Sequence, residues 1–140
     1  THRTVHTWRC VIDWSEKDVW EIIKRHRVRP HPCYRAGWNR CSCAQCIFST
    51  PKHFAGIKEL YPDEYANLKR DEEVLGFTLD NSCSLDEFVG QAKSCVYHGD
   101  AQAIRSLLTG EYAIKDVYLR DSEKWLYPAG AFHGAEGGPC

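Results

Sequence analysis

Four of the chain's eight cysteines lie within fourteen residues, from Cys33 to Cys46. Cys43 and Cys46 form a Cys-x-x-Cys pair, a spacing that presents two thiolates to one metal centre. Cys33 lies far enough upstream for its thiolate to loop back as a third ligand. Thiolates are the ligands of both structural zinc sites and iron–sulfur clusters, and their spacing does not distinguish the two.

The cysteines lie in a strongly basic stretch. No acidic residue occurs between Glu21 and Glu59, whereas residues 1–70 as a whole carry 13 Lys and Arg against 7 Asp and Glu. Such a local field attracts phosphate, sulfate or nucleic acid, and the alternative is a solvated basic face balanced by the acidic second half. Because Arg35 and Arg40 lie among the cysteines, we expect these two residues to line an anion site.

Composition limits the class of protein. The chain has 140 residues, of which 43% are hydrophobic, so we expect one folded domain with a real core. No apolar run approaches the roughly 20 residues of a membrane span, and no secretory signal is visible. Eight cysteines could also form four disulfides of a secreted protein. The clustered spacing favours metal binding in a reducing compartment, and we therefore expect a cytoplasmic protein.

Capping residues predict five helices around this cysteine segment. Ser15 precedes a helix that runs to about Arg25, and Thr50 with Pro51 opens the next. The remaining three predicted helices begin at Pro62, after Ser84 and after Asp100, and glycines Gly76 and Gly110 end the first and last of these. Residues 27–49 are expected to form a long loop, which a bound metal would cross-link.

The ends of the chain predict less regular structure. Residues 1–14 read as an extended segment anchored by apolar side chains, Trp8 and Trp14 among them. The apolar runs at 112–119 and 125–127 predict a small β-hairpin, and the glycine-rich tail from Gly130 to Cys140 is expected to be mobile. We therefore predict an α+β domain in which helices dominate. Within it, residues 1–99 would form the metal-binding region, and residues 100–140 a short helix, the hairpin and the tail.

Four motifs resemble the C-terminal part of the phosphoadenosine phosphosulfate (PAPS) reductase family. They are, in order, Trp8–Trp20, His31–Tyr34, Gly37 with Trp38, and Ser42–Phe48. The motifs are most similar to the phage and DNA-sulfur-modification branch. The resemblance implies the C-terminal portion of an adenine-nucleotide α-hydrolase-like α/β domain. It covers about half of the chain.

The resemblance also implies a ligand set. Cys33, Cys43 and Cys46 match the cysteines that hold an iron–sulfur cluster in that branch, so a [4Fe–4S] cluster is expected, with zinc as the alternative. The position of the branch's fourth cysteine corresponds to Lys52 and His53, which makes His53 the candidate fourth ligand. Cys41, Cys10 and Cys83 are further candidates for this ligand, and an open fourth position is another alternative.

Two functions follow as expectations. The first is sulfonucleotide reduction or sulfur transfer, in which Arg35, Arg40 and Lys52 hold the substrate's phosphate or sulfate. The family's Ser-Gly-Gly-x-Asp-Ser nucleotide loop does not occur in this sequence, so a partner chain or an upstream half would have to supply it. The second is a standalone zinc-stapled module that binds nucleic acid or a partner protein without catalysis. No catalytic residue can be assigned from the sequence.

Overall fold

The computed structural model describes residues 2–133 and is dominated by helices, as predicted. The helices are α1 (Glu16–Arg25), α2 (Pro32–Arg35), α3 (Pro51–Leu60), α4 (Pro62–Leu75), α5 (Leu85–Val89), α6 (Ala101–Thr109) and a 3-10 helix (Ile114–Asp116). Within these residues, none of the helices is both long enough and apolar enough to cross a membrane.

The predicted caps are confirmed at both ends of the helices. Four helices begin after a side chain that accepts a hydrogen bond from the backbone N–H three residues further on, and these caps are Ser15, Thr50, Ser84 and Asp100. Gly76 and Gly110 end α4 and α6 in the left-handed conformation, with φ of 67° and 68°. Only glycine adopts this conformation without strain, which is why both helices end where the sequence predicted.

The main core forms where α3 packs against its neighbours. Phe54 and Ile57 of α3 are almost completely buried, and they cluster with Tyr65 of α4 and Leu85 of α5. Ala103 joins this core from α6, which also packs against α2. The helix that carries Cys33 is therefore fixed to the core through α6.

A second, smaller core joins the two ends of the chain. Trp20 of α1 packs with Trp125 and Ala131, and the indole of Trp125 donates a hydrogen bond to the carbonyl oxygen of Val28 at 2.8 Å. This packing explains why the predicted hairpin is wrong. Trp125 is buried against α1 and therefore does not pair with residues 112–119, part of which form the 3-10 helix instead.

The described residues contain one isolated antiparallel bridge, between Val28 and Tyr118, and no sheet. The α/β layer that the resemblance implies is therefore not found in residues 2–133. Residues 112–119 have a strand-like composition, but in the described structure they pair through this single bridge. Their partner, residues 27–29, is a linker between α1 and α2 that is too short for a longer ladder.

Both terminal predictions need correction. The apolar residues of the first segment do not anchor it, since Trp8 is 89% exposed and Trp14 is also exposed. The predicted mobile tail begins in packed structure, because Gly130 is buried and its N–H donates to the carbonyl oxygen of Tyr34 at 2.8 Å. The rest of that tail, residues 134–140, lies outside the described residues.

Candidate metal centre

The one-turn helix α2 places His31 and Cys33 side by side. His31 is its N-cap, and the imidazole Nδ1 accepts a hydrogen bond from the backbone N–H of Cys33 at 3.2 Å. Pro32 occupies the first helical position, where no backbone N–H is needed. The predicted loop 27–49 is therefore interrupted by a rigid turn that presents two potential ligands together.

A chain reversal after α2 returns the next cysteine to the same place. The N–H of Trp38 donates to the carbonyl oxygen of Cys33 at 3.1 Å, and the Cys33 thiol donates to the carbonyl oxygen of Arg40 at 3.3 Å. The reversal requires glycine at position 37. Gly37 has a φ of 110°, and a Cβ there would lie 1.9 Å from the carbonyl oxygen of Cys95.

The reversal gathers three donor atoms that could hold one metal ion. His31, Cys33 and Cys41 each offer one ligand atom, and these atoms lie within 4.8 Å of one another. The Cys41 Sγ lies 3.6 Å from the His31 Nδ1. A tetrahedral zinc ion with ordinary Zn–S and Zn–N bonds holds neighbouring S and N ligands about 3.6 Å apart. The donor set therefore fits a metal ion in both its chemistry and its spacing, and the Nδ1 lone pair that accepts from the Cys33 N–H would bind the ion instead.

Cys43 lies beside this group. It lines the same cavity as His31, Cys33 and Cys41, a space of about 120 Å³ that is also lined by Trp38 and core residues. All seven described cysteines are free thiols. The clustered thiols are therefore available as ligands, as metal binding requires.

Cys46, the second cysteine of the knuckle, is buried and faces different partners. Its pKa is lowered, first by the backbone N–H of Phe48 and then by the side chains of Ser42 and Cys43 and the positive charge of Arg40. The Arg40 guanidinium lies 3.8 Å from the Cys46 sulfur. This environment favours the thiolate form that metal binding uses.

The surroundings also shift the pKa values of two of the potential donors, Cys33 and His31. Burial raises the pKa of the Cys33 thiol, and the neighbouring Cys41 raises it further. Partial removal of water lowers the pKa of His31, which keeps its imidazole neutral at physiological pH. A neutral imidazole is the metal-binding form, whereas the Cys33 thiol must lose a proton when a metal binds.

The structure does not place His53 with these donors. His53 is 4% exposed and lies in the first turn of α3, where its Nδ1 accepts a hydrogen bond from the Thr50 N–H at 3.5 Å. It lines another cavity, of about 270 Å³, together with Lys52 and Cys95. Cys83 also lies apart, beside Asp80, and Cys10 is exposed in the first segment.

The three predicted anion-binding cations line three different cavities. Arg35 faces a cavity of about 470 Å³, Lys52 the one beside His53, and Arg40 the cysteine cavity. Arg35 is held by Asp100 through two hydrogen bonds of 2.8 Å, so its charge is balanced within the fold. Of the three, only Arg40 is therefore placed to act on a ligand at the cysteine cavity.

Part of the basic stretch has a structural role that its composition did not predict. The Arg27 guanidinium donates to the carbonyl oxygens of Arg120 and Glu123, and Arg29 forms an ion pair with Glu123 at 2.9 Å. Lys24, Arg25 and His26, at the end of α1, remain exposed. The surface field is therefore weaker than the sequence suggests.

His31 is a donor that was not expected from the sequence, although it opens the His31–Tyr34 motif. The available signal was its position two residues before Cys33, with proline between them. Because a histidine N-cap directs its ring towards the backbone N–H two residues further on, this spacing places the imidazole next to the cysteine.

Comparison with known proteins now identifies the segment that holds these donors. The sequence profile of the phosphoadenosine phosphosulfate reductase domain matches residues 3–49. Residues 3–49 are thus similar to a PAPS reductase domain. The matched segment includes His31 and all four clustered cysteines but ends before Lys52 and His53, so it contains the whole donor group.

Three curated proteins are similar to parts of the chain. An uncharacterised 37.8 kDa protein of Escherichia phage 186 is 31% identical over 71 residues, which are 51% of this chain and 21% of the phage protein. An uncharacterised protein of Methanocaldococcus jannaschii is 34% identical over 53 residues, 38% of this chain and 13% of that protein.

The third relative has a named activity. The adenosine 5'-phosphosulfate reductase of Allochromatium vinosum is 44% identical over 34 residues, 24% of this chain and 13% of the enzyme. The chain thus spans less than a quarter of the length of each of these relatives. No solved structure matches the chain.

Proposed function

We propose that residues 31–46 form the metal centre of a PAPS-reductase-family protein that acts in sulfonucleotide reduction or sulfur transfer. The observation that carries this proposal is the approach of His31, Cys33 and Cys41 to within 4.8 Å, inside the segment that matches the family. The similarity to an adenosine 5'-phosphosulfate reductase supports sulfonucleotide chemistry as the setting.

The donor set would be His31, Cys33, Cys41 and Cys43. These four side chains line one cavity, and three of them already lie at the spacing of ligands on a single ion. A four-iron cluster is the alternative, with Cys33, Cys43 and Cys46 among its ligands. Each thiolate of such a cluster binds a different iron, so the ligand sulfurs lie farther apart than on one ion. The compact spacing therefore favours zinc.

The chemistry that the centre supplies depends on this choice. A zinc ion would cross-link α2 to the following reversal, whereas an iron–sulfur cluster would add electron transfer. In either case Arg40 contributes a positive charge at the cavity, next to the sulfur of Cys46. A guanidinium there would bind the phosphate or sulfate group of a ligand that enters the cysteine cavity.

The deciding experiment is metal and acid-labile sulfide analysis on anaerobically purified protein, with a visible absorption spectrum. About one zinc per chain without sulfide supports the four-donor zinc site, and iron with sulfide supports the cluster alternative. Cys41→Ser should lose the metal, and Cys83→Ser, which changes a cysteine outside the cavity, should keep it. Absence of metal after anaerobic reconstitution, or equal metal content in both variants, would overturn the proposal.

A second function is a zinc-stapled binding module without catalysis. The fit of the 3.6 Å spacing to one closed zinc site favours it, since structural zinc sites have this geometry. The partner would be nucleic acid, attracted by the exposed end of α1. Calorimetry with adenosine 5'-phosphosulfate and gel retardation at two salt concentrations separate the two functions. Binding of the sulfonucleotide supports the first, and salt-sensitive retardation without it supports the second.

The exposed first segment would contact the nucleotide-binding half of the family domain. Trp8, Val5 and Ile12 are all more than half exposed although they lie in the matched segment. Three large apolar side chains exposed along one short segment are consistent with an interface. The test is Trp8→Ser in a protein that carries both halves and in this chain alone. We expect a lower unfolding temperature only in the former, and equal effects would reject this contact.

A further inference from the structure

A well-defined cavity lined by Arg29, Arg35 and Trp125 lies apart from the cysteines. It has a volume of about 470 Å³ and opens between the start of α6 and the segment 119–129. It shares no lining residue with the cysteine cavity, and most of its wall lies beyond the segment that matches the family. Its size is within the range of small-molecule sites. We propose that this cavity binds a small aromatic monoanion, which goes beyond the function proposed above.

The charge of the cavity sets the charge of its ligand. Arg29 pairs with Glu123 and Arg35 pairs with Asp100, so both guanidinium charges are balanced. Lys124 is exposed at the cavity and has no ion-pair partner among residues 2–133. One uncompensated positive charge therefore remains, and it matches a ligand with a single negative charge.

Both arginines keep hydrogen-bonding capacity for such a ligand. Arg29 uses its Nε and Nη2 groups on Asp116 and Glu123, and Arg35 uses the same two groups on Asp100 and Gln102. The Nη1 group of each has no hydrogen-bond partner in the described part of the chain. Carboxylate pairing fixes both guanidinium planes, and each can still offer the N–H groups of Nη1.

Aromatic side chains form much of the remaining wall and set the shape of the ligand. Trp125 is buried and Tyr127 packs against it edge to face, with ring centroids 5.0 Å apart. Tyr97 lines the cavity as an exposed ring. Flat apolar groups pack well against such walls, because aromatic pairs gain energy beyond their buried area. An aromatic ring is therefore the body that this cavity favours.

The wall is already fixed in place without a ligand. The Trp125 indole donates to the Val28 carbonyl oxygen at 2.8 Å, and the Tyr127 hydroxyl donates to Glu21. The side chains of Arg29 and Arg35 are only 15% and 11% exposed. These four side chains have little freedom left to lose on binding, which raises the affinity expected for a small ligand.

The probe is 2-naphthoate, a flat monoanion, compared with neutral 2-naphthol and with acetate by calorimetry at pH 7.5. We expect 2-naphthoate to bind one per chain and more tightly than either comparison compound. Lys124→Gln should lower the affinity for 2-naphthoate about tenfold, since a charge-assisted hydrogen bond is lost. The affinity for 2-naphthol should not change. Lys93→Gln is the matched control, because Lys93 is an exposed lysine outside this cavity.

A second measurement locates the ligand. The indole N–H resonance of Trp125 should shift on titration with 2-naphthoate because of the ring current of the bound ligand, and Trp125→Phe assigns that resonance. Tyr97→Leu should weaken binding about fivefold, as expected for loss of one aromatic contact. Equal affinity for 2-naphthol and 2-naphthoate, or no difference between the Lys124 and Lys93 variants, would overturn the proposal.

Discussion

The Cys41 sulfur lies 3.6 Å from Nδ1 of His31, although the two residues are ten positions apart in the chain. The approach depends on α2 and on the reversal at Gly37, because together they return the chain to its starting point. The same reversal leaves His53 on the other side, against the cap of α3. The histidine next to the cysteines is therefore the one that precedes them in sequence.

Replacement of His31 tests the donor set directly. His31→Ala should lower zinc affinity about a hundredfold or more, because loss of a ligand costs more than loss of a residue that merely orients one. His53→Gln is the control, since glutamine at this position preserves the capping box with Thr50. Chelator competition measures both affinities. If only the His53 variant lost zinc affinity, His53 would be the ligand, as the sequence suggested, and His31 would not.

Cys95 should resist alkylation. Burial raises its pKa to about 12, so very little thiolate is present near pH 8. Cys10 is exposed and should react with iodoacetamide about a thousandfold faster at that pH. Mass-spectrometric mapping after timed quenching gives both rates. Comparable labelling of the two cysteines would show that the segment around Cys95 opens readily to solvent.

The pairing of Arg35 with Asp100 should contribute substantially to stability. Asp100→Asn keeps the side-chain oxygen that caps Ala103 but removes the charge that balances the Arg35 guanidinium. We expect the free energy of unfolding to fall by about 2 kcal/mol, as for hydrogen bonds to charged groups in a partly buried site. Urea denaturation provides the value. Asp121→Asn at an exposed site is the control, and an equal effect there would contradict this role.

The Tyr65–Asp86 hydrogen bond should make stability depend on pH. Tyr65 is almost fully buried, and its hydroxyl donates to Asp86 at 2.9 Å. Tyr65→Phe should therefore cost about 1 kcal/mol at pH 7. The hydrogen bonds from Lys69 and Tyr65 hold the pKa of Asp86 below its ordinary value of 3.8.

The sign of the effect follows from this shift. The folded state favours ionised Asp86, so the contribution is fully present above pH 3.8 and is lost as the pH falls through the lower folded-state pKa. Urea titrations of wild type and Tyr65→Phe between pH 7 and about pH 3 give the difference in their free energies of unfolding. This difference should stay constant above pH 3.8 and narrow below it. A difference that instead widened on acidification would contradict the assignment.

Local chemistry made the helices predictable. Ser15, Thr50, Ser84 and Asp100 act through contacts three residues away, and Gly110 acts on its own backbone, so each signal is visible in a short stretch of sequence. The strand predicted for residues 112–119 does not form, because the packing of Trp125 against α1 decides the conformation there. Tertiary packing there overrides an apolar, strand-like composition.

The candidate site was predictable to a similar extent. Clustering alone identified Cys33 and Cys43 as metal-ligand candidates, and both line the same cavity. The position of His31 in the donor group depends on a one-turn helix, for which the sequence signal is limited to the His31-Pro32-Cys33 spacing. The partner of Arg35 lies 65 residues away, and no local pattern announces a contact at that distance.

The bridge between residues 27–29 and the segment 116–123 has a consequence for biosynthesis. The backbone N–H groups of Arg29 and Leu119 bond across this bridge at 2.7 and 2.9 Å, and the Arg29 side chain reaches Glu123. Cys41 is translated about eighty residues before Glu123, a delay of about 4–16 s at ribosomal rates. During that interval the linker into α2 lacks its partners. The linker that leads into the cysteine segment can therefore take up its final contacts only after the last third of the chain has emerged.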